Sequence, residues 1–327
     1  MMDLDGHPRL NLHTIEPTRP LSDIIQDAEQ GLLARPRYMP PKYFYDERGS
    51  ALFDAICDTE EYYPTRTEDA LLRRHAQTII DRVSPQHIIE FGSGSSRKTR
   101  RLLDHCEQAD SAYWPFDVCE GMLKQAGQQL VREYDWLEVN ILVGDYLGGL
   151  QGLPSPDGVS LYLFLGGTIG NFTEREASWF LAELSTLMQP GDYLLLGADR
   201  VKDSQVLRAA YNDSEGLTAE FNLNLLEVLN RELQADFDAS QFEHRAEFNE
   251  GASQIEMHLE SRRAQTVQID ALDASLQMDK GECILTEISR KFSHAGLEQL
   301  LYRAGLAVEN HFQPDNGYYS LILARQS

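Results

Sequence analysis

The spacing of apolar residues changes several times along the chain, and each change marks an element. Leu21, Ile24, Ile25, Ala28, Leu32 and Leu33 recur at helical intervals and predict a helix over 21–33. Pro36, Pro40 and Pro41 then interrupt regular structure. Ser50-Ala51-Leu52-Phe53-Asp54-Ala55-Ile56 reads as a short helix capped by Ser50. A longer helix opens at Thr67-Glu68 and runs through Leu71, Leu72, His75, Ile79 and Ile80. Beyond it, short apolar runs alternate with amphipathic stretches. Strands are expected at His87–Phe91, Ala112–Phe116 (ending at Asp117), Val139–Val143, Val159–Leu165 and Asp192–Gly197. Helices are expected over Arg97–Cys106 and Gly121–Tyr134. Alternation at this spacing predicts a parallel, doubly wound sheet with right-handed crossovers.

The rhythm stops near Lys202. Glu220–Leu233 is helical, and Ser253-Gln254-Ile255-Glu256-Met257-His258-Leu259-Glu260 then alternates residue by residue, the signal of a half-buried antiparallel strand. A helix returns over Phe292–Ala304, and Ala307–Phe312 with Tyr318–Ala324 close the chain as two strands. The fold class is therefore α/β, with an antiparallel insertion interrupting the doubly wound domain. That domain is expected to take residues 66–200 and 288–327, and a second, α+β domain residues 1–65 and 201–287. The first twenty residues are polar and contain Pro8, Pro17 and Pro20, so a loosely draped arm is expected there.

Charge narrows the function. The chain has 327 residues, with 52 acidic against 29 basic ones and a formal net charge of −23. Binding through phosphates needs clustered Lys and Arg, so nucleic acid is not an expected partner. Cys57, Cys106, Cys119 and Cys283 form no CxxC pair, so neither a metal site nor a disulfide framework is expected. The start has no basic stretch leading into an apolar core, and no apolar run is long enough to cross a bilayer. A cytoplasmic, monomeric protein with no membrane partner is the expectation.

Two glycine-rich strand ends carry the chemistry. The run Tyr162-Leu163-Phe164-Leu165-Gly166-Gly167-Thr168-Ile169-Gly170 comes off an apolar strand and delivers Asn171. In open α/β sheets ligands bind beyond the carboxyl ends of the strands. Glycine lets backbone approach a ligand closely, and an amide side chain both donates and accepts. Upstream, Glu90-Phe91-Gly92-Ser93-Gly94-Ser95-Ser96-Arg97 links a strand to a helix. It is not the dinucleotide fingerprint, because Arg97 stands where the third glycine belongs. S-adenosylmethionine, which has no phosphate, suits it better. Glu90 is the acid near the loop. Asp117 fits the ribose diol, Asp145 the adenine amine with Tyr146 packing the base, and Lys98 the methionine carboxylate. Each alone could be a solvated loop charge; three acids at three successive strand ends make the pattern specific.

With these residues in place the chain resembles the bacterial histidine-specific Nα-methyltransferases of ergothioneine biosynthesis (EgtD). The likeness runs from Pro40-Pro41-Lys42 to the C-terminus. It rests on Phe44-Tyr45-Asp46, Gly49-Ser50, Glu61-Tyr62-Tyr63-Pro64-Thr65-Arg66-Thr67-Glu68, Glu90 to Gly94, Gly166 to Asn171, and Thr286-Glu287-Ile288-Ser289-Arg290-Lys291-Phe292. The resemblance implies a class I, Rossmann-like methyltransferase fold and trimethylation of the α-amine of L-histidine to hercynine. It implies that Gly92 (with Gly94 beside it), Lys98, Asp117, Asp145 and Tyr146 hold the methyl donor. Asn171 and Tyr211 would hold the substrate's carboxylate and amine end with Tyr45 close by, Tyr62, Glu287 and Ser289 would grip the imidazole, and Met257 would line the side-chain pocket.

The residues themselves are consistent with those roles. Imidazole recognition needs an acceptor for one ring N–H and a partner for the other nitrogen. Glu287 and Ser289, two apart on extended chain, point the same way. A tyrosine hydroxyl can serve the second nitrogen. No histidine lies in the motifs as a base, so Asn171 is expected to position the amine and Tyr45 or solvent to assist deprotonation. Three alternatives remain: a methyltransferase of the same scaffold acting on tryptophan or another amino acid, an NAD(P) oxidoreductase, and a non-catalytic S-adenosylmethionine sensor. Indole offers a single N–H and cannot use both Glu287 and Ser289.

Overall fold

The computed structural model describes residues 7–106 and 111–327. The chain divides into two compact units. The first comprises the residues through Leu21, Arg66–Arg200 and Phe292–Ser327; the second comprises Ser22–Thr65 and Val201–Lys291.

The first unit is built on an eight-stranded sheet. Its spatial order is Leu10–Thr14, Glu138–Val143, Ala112–Asp117, His87–Phe91, Ser160–Phe164, Tyr193–Asp199, Tyr319–Gln326 and Leu306–Phe312. Neighbours pair in parallel except Tyr319–Gln326, which runs antiparallel to both strands beside it. This is the Rossmann-like order of class I methyltransferases, and it reverses between His87–Phe91 and Ser160–Phe164, the switch point at which such sheets bind ligands. Alternate residues feed opposite cores. Ile88, Leu161, Leu163 and Leu195 join Leu72 and Ile79 of the helix Tyr63–Val83 on one face. Ile89, Tyr162, Phe164, Leu194 and Leu196 join Phe180, Leu184 and Leu301 on the other. Strands covered on both faces read as unbroken apolar runs.

The N-terminal segment departs from expectation. Residues 10–14 do not drape loosely but pair in parallel with Glu138–Val143, Leu10 opposite Val139. Leu10 alternates with polar Asn11 and is buried, which suffices for an edge strand. Arg9 anchors it by donating to the carbonyls of Val131, Tyr134 and Leu137 at 2.6–2.7 Å, where the helix Glu120–Glu133 ends and cations are favoured. Two further boundaries shift: residues 7–21 belong with the large sheet, and 288–291 remain with the second unit because they continue the strand Cys283–Arg290.

Several helix ends differ from expectation for local reasons. Glu47–Asp58 is capped by Asp46, whose Oδ1 accepts from the Gly49 N–H at 2.8 Å, so Ser50 lies inside the helix. The helix expected at Thr67 starts at Tyr63, with Pro64 tolerated in the first turn. The helix expected over 97–106 shrinks to Arg100–Leu103, since the preceding loop runs on to Thr99.

The second unit holds a four-stranded sheet in the order Arg37–Tyr38, Cys283–Arg290, Gln254–Ser261 and Phe242–Asn249, together with the helix Leu217–Leu233. Ile255, Met257, Leu259 and Ser261 are buried while their neighbours are half exposed. Opposite them the strand Cys283–Arg290 carries a bulge between Leu285 and Glu287. Ile284 before it and Thr286 within it are buried; after it Glu287, Ser289 and Lys291 are. The extra residue re-aims the strand. Without it, the parity set by Ile284 would bury Ile288 and Arg290 instead.

Candidate active site

In the first unit the loop after His87–Phe91 is held from beneath. Glu90 is 4% exposed, and its Oε2 accepts from the hydroxyls of Thr99 and Tyr113. Burial pushes its carboxyl up to about 7, while those two donors pull it the other way. Glu90 thus braces the loop. Gly92 and Gly94 adopt φ of 65° and 51°, the left-handed region that favours glycine. Among the described residues a Cβ on either would meet nothing nearer than the Tyr146 ring at 3.8 Å or the Met122 sulfur at 3.7 Å, so the backbone is open to close approach. Ser93 Oγ is buried there with no hydrogen-bond partner among the described residues.

Asp117 closes the loop. Its Oδ2 accepts from the Gly94 N–H at 3.0 Å and its Oδ1 from the Cys119 N–H at 3.1 Å. Burial raises its pKa against those N–H bonds, and nearby Asp145 adds to the rise. Each oxygen keeps a lone pair for a hydroxyl. Asp145 caps the turn Tyr146–Gly148 through Oδ1, accepting from Leu147 N at 2.8 Å and leaving Oδ2 for another donor. The Tyr146 ring lies 5.9–6.5 Å from the rings of Phe91, Phe116, Phe164, Phe172 and Phe180, a rigid aromatic bed. Val118, 47% exposed beside Asp117, adds apolar surface that sequence reading passed over. Paired acids, an aromatic wall, open glycine backbone and an orphaned hydroxyl suit a nucleoside with an amino-acid tail, as S-adenosylmethionine is. Lys98, half buried, pairs with Glu68. Asn171 ends the turn Thr168–Asn171, which follows Gly166 and Gly167 at φ of 79° and 71°.

The second unit gathers the remaining candidates. Glu287 sits opposite Met257 across the bulged pair. Its carboxyl is pushed up to about 7 by burial, with Lys291 drawing it down. The Tyr211 and Ser289 hydroxyls are 2.7 Å apart, and Lys291 Nζ donates to both, at 2.9 and 2.8 Å. Either hydroxyl can be the donor to the other. Tyr62 and Tyr211 meet edge to face at 6.0 Å. Burial, then the neighbouring Tyr211, Cys57, Glu287 and Tyr45, hold the Tyr62 phenol well above its ordinary pKa, so it stays a donor. Tyr45 packs edge-on against Phe53 and Phe221, both at 5.8 Å.

Lys291 is the residue that sequence reading missed here. Its signal was its place two residues beyond Ser289, on the same face. A hydrogen-bonded chain also fixes Tyr211 from behind. Thr286 Oγ1 donates to Asn222 Oδ1, Asn222 Nδ2 donates to His244 Nδ1, and His244 Nε2 donates to the Tyr211 carbonyl, at 2.7, 2.9 and 2.9 Å. Burial lowers the His244 pKa, which keeps the ring neutral and able to play both parts.

The model of the S-adenosylmethionine-dependent histidine-specific methyltransferase family matches residues 24–326. The histidine N-alpha-methyltransferase of Mycolicibacterium smegmatis is 44% identical over 91% of this chain and 94% of its own length. Ergothioneine biosynthesis protein 1 of Neurospora crassa is 36% identical over 60% of this chain, which spans 23% of that longer protein. The L-tryptophan methyltransferase trpM of Psilocybe serbica is 26% identical over 90% of this chain and 91% of its own length. Among the described residues no helix is long and apolar enough to cross a membrane.

Proposed function

The chain belongs to the S-adenosylmethionine-dependent histidine-specific methyltransferases, and we propose that it transfers three methyl groups to the α-amine of L-histidine, yielding hercynine for ergothioneine biosynthesis. The observation that carries the choice of histidine is the buried set of Glu287, Ser289, Tyr211 and Tyr62. An apolar amino acid would bring no ring N–H to the buried Glu287 carboxyl, at a cost of about 1–3 kcal/mol. Indole has no second nitrogen for them, which argues against the tryptophan activity named for the Psilocybe relative. We place the enzyme in the cytoplasm, acting as a monomer on a small molecule.

S-adenosylmethionine supplies a methyl already activated on a sulfonium. Asp117 holds the ribose hydroxyls, Asp145 the adenine amine, Tyr146 and Val118 the base, Gly92 and Gly94 the close backbone, and Lys98 the carboxylate of the donor. Glu287 accepts from one imidazole nitrogen, and Ser289 or Tyr62 serves the other. Met257 flanks the ring. Asn171 and Tyr211 fix the carboxylate and amine end, so that orientation supplies much of the barrier reduction. Tyr45 assists removal of the amine proton. As methyls accumulate the amine becomes a fixed cation, which tyrosine faces accept.

Incubation with S-adenosylmethionine and a panel of amino acids, with products weighed by mass spectrometry, tests the reading. A three-methyl gain on histidine alone is expected; preferential labelling of tryptophan overturns it. Tyr45→Phe is expected to depress turnover more than histidine affinity, measured by steady-state kinetics. An unchanged rate removes Tyr45 from the proton path.

A further inference from the structure

We propose that Glu68 is a positioning residue that sets Lys98 and the Gly166 loop in one arrangement at the switch point of the sheet. The inference rests on the donor site described above. Glu68 lies in the first half of the helix Tyr63–Val83 and is fully buried. Its two oxygens take four hydrogen bonds. The Gly166 N–H reaches both, at 3.0 and 2.9 Å, the Tyr319 hydroxyl donates to Oε1 at 2.7 Å, and Lys98 Nζ donates to Oε2.

Those partners come from different elements. Lys98 belongs to the loop after His87–Phe91, and Gly166 opens the loop after Ser160–Phe164, the two strands between which the order reverses. A Cβ on Gly166 would lie 3.8 Å from Lys98 Nζ. One carboxylate therefore joins the cation assigned to the donor's tail to the loop that ends at Asn171. The space for it is made by Gly197, where a Cβ would come within 2.0 Å of Glu68 Oε1.

Burying an ion is costly unless charge and hydrogen bonds compensate it, and a neutral side chain would fill the same volume. Here the charge has a defined effect. Fully buried and already accepting from three donors, Glu68 acts through Lys98 and the Gly166 loop. It takes one N–H of Lys98, and an ammonium has two more to offer.

The test compares wild type, Glu68→Gln, Lys98→Met and the double variant for S-adenosylhomocysteine binding by calorimetry and for histidine methylation. Glu68→Gln is expected to weaken binding about tenfold and to lower kcat at an unchanged folded fraction. In the Lys98→Met background the same change is expected to have no further effect on binding, because the lysine it positions is gone. Additive effects, or a Glu68→Gln enzyme within twofold of wild type, would overturn the proposal. If Glu68→Gln does not fold, Gly197→Ala, which crowds the carboxylate while keeping it, enters the same cycle with the same expectations. Should wild type itself neither bind S-adenosylhomocysteine nor methylate histidine, the proposed function fails before Glu68 is judged.

Discussion

Glu287→Gln is expected to lower kcat/KM for histidine about 10²-fold, with most of the loss in KM. A hydrogen bond to a charged group contributes about 1.5–3 kcal/mol, and the imidazole is not the reacting centre, so ground and transition states lose equally. The preference for histidine over tryptophan should narrow in parallel, because indole, with a single N–H, cannot use Glu287 and Ser289 together. Stability supplies a second readout. The folded-state pKa of Glu287, about 7, stands above its ordinary 4.5, so the folded protein holds this proton where the unfolded chain has released it. The resulting stabilisation is full below about 4.5 and is lost as the pH climbs through about 7. Glutamine does not titrate. Thermal unfolding at pH 5 and pH 8 should show the wild type losing ground relative to the variant at the higher pH; parallel melting at both would contradict the buried assignment.

Asp117→Ala should have an effect at least as large, on the other ligand. Removing two charge-assisted bonds to ribose, at about 1.5–3 kcal/mol each, predicts about a 10³-fold weaker Kd for S-adenosylmethionine. The variant also strips the Gly94 and Cys119 N–H groups of their acceptor, which loosens the glycine loop. Histidine KM at saturating donor should barely move. Calorimetry with S-adenosylhomocysteine reads the first effect, steady-state kinetics the second. A loss spread equally over both ligands would make Asp117 a fold residue.

How much of this was legible depends on what each feature leaves in a sequence. The central sheet was readable because strands such as Ser160–Phe164 are covered on both faces and appear as apolar runs ending in glycine or acid. Strand ends locate the crevice, so Asp117, Asp145 and Asn171 could be placed from spacing. The edge strand at Leu10–Thr14 was hidden because five residues between prolines carry little periodicity. The bulge at Thr286 was invisible for a sharper reason: a one-residue irregularity changes which side chains are buried without changing composition. Glu287 and Ser289 still share a buried face, since they lie on the same side of it. Glu68 and Lys291 look like ordinary helix and strand charges; burial, which a single chain does not announce, makes them notable.

A crystal structure of the protein soaked with S-adenosylhomocysteine and L-histidine bears most directly on the claim that the bulged strand delivers a carboxylate to the substrate's ring. We expect a Glu287 oxygen at about 2.6–3.2 Å from one imidazole nitrogen, with the Ser289 or Tyr62 hydroxyl at the other. Histidine bound with its ring away from Glu287, the carboxylate meeting only water, would contradict the account.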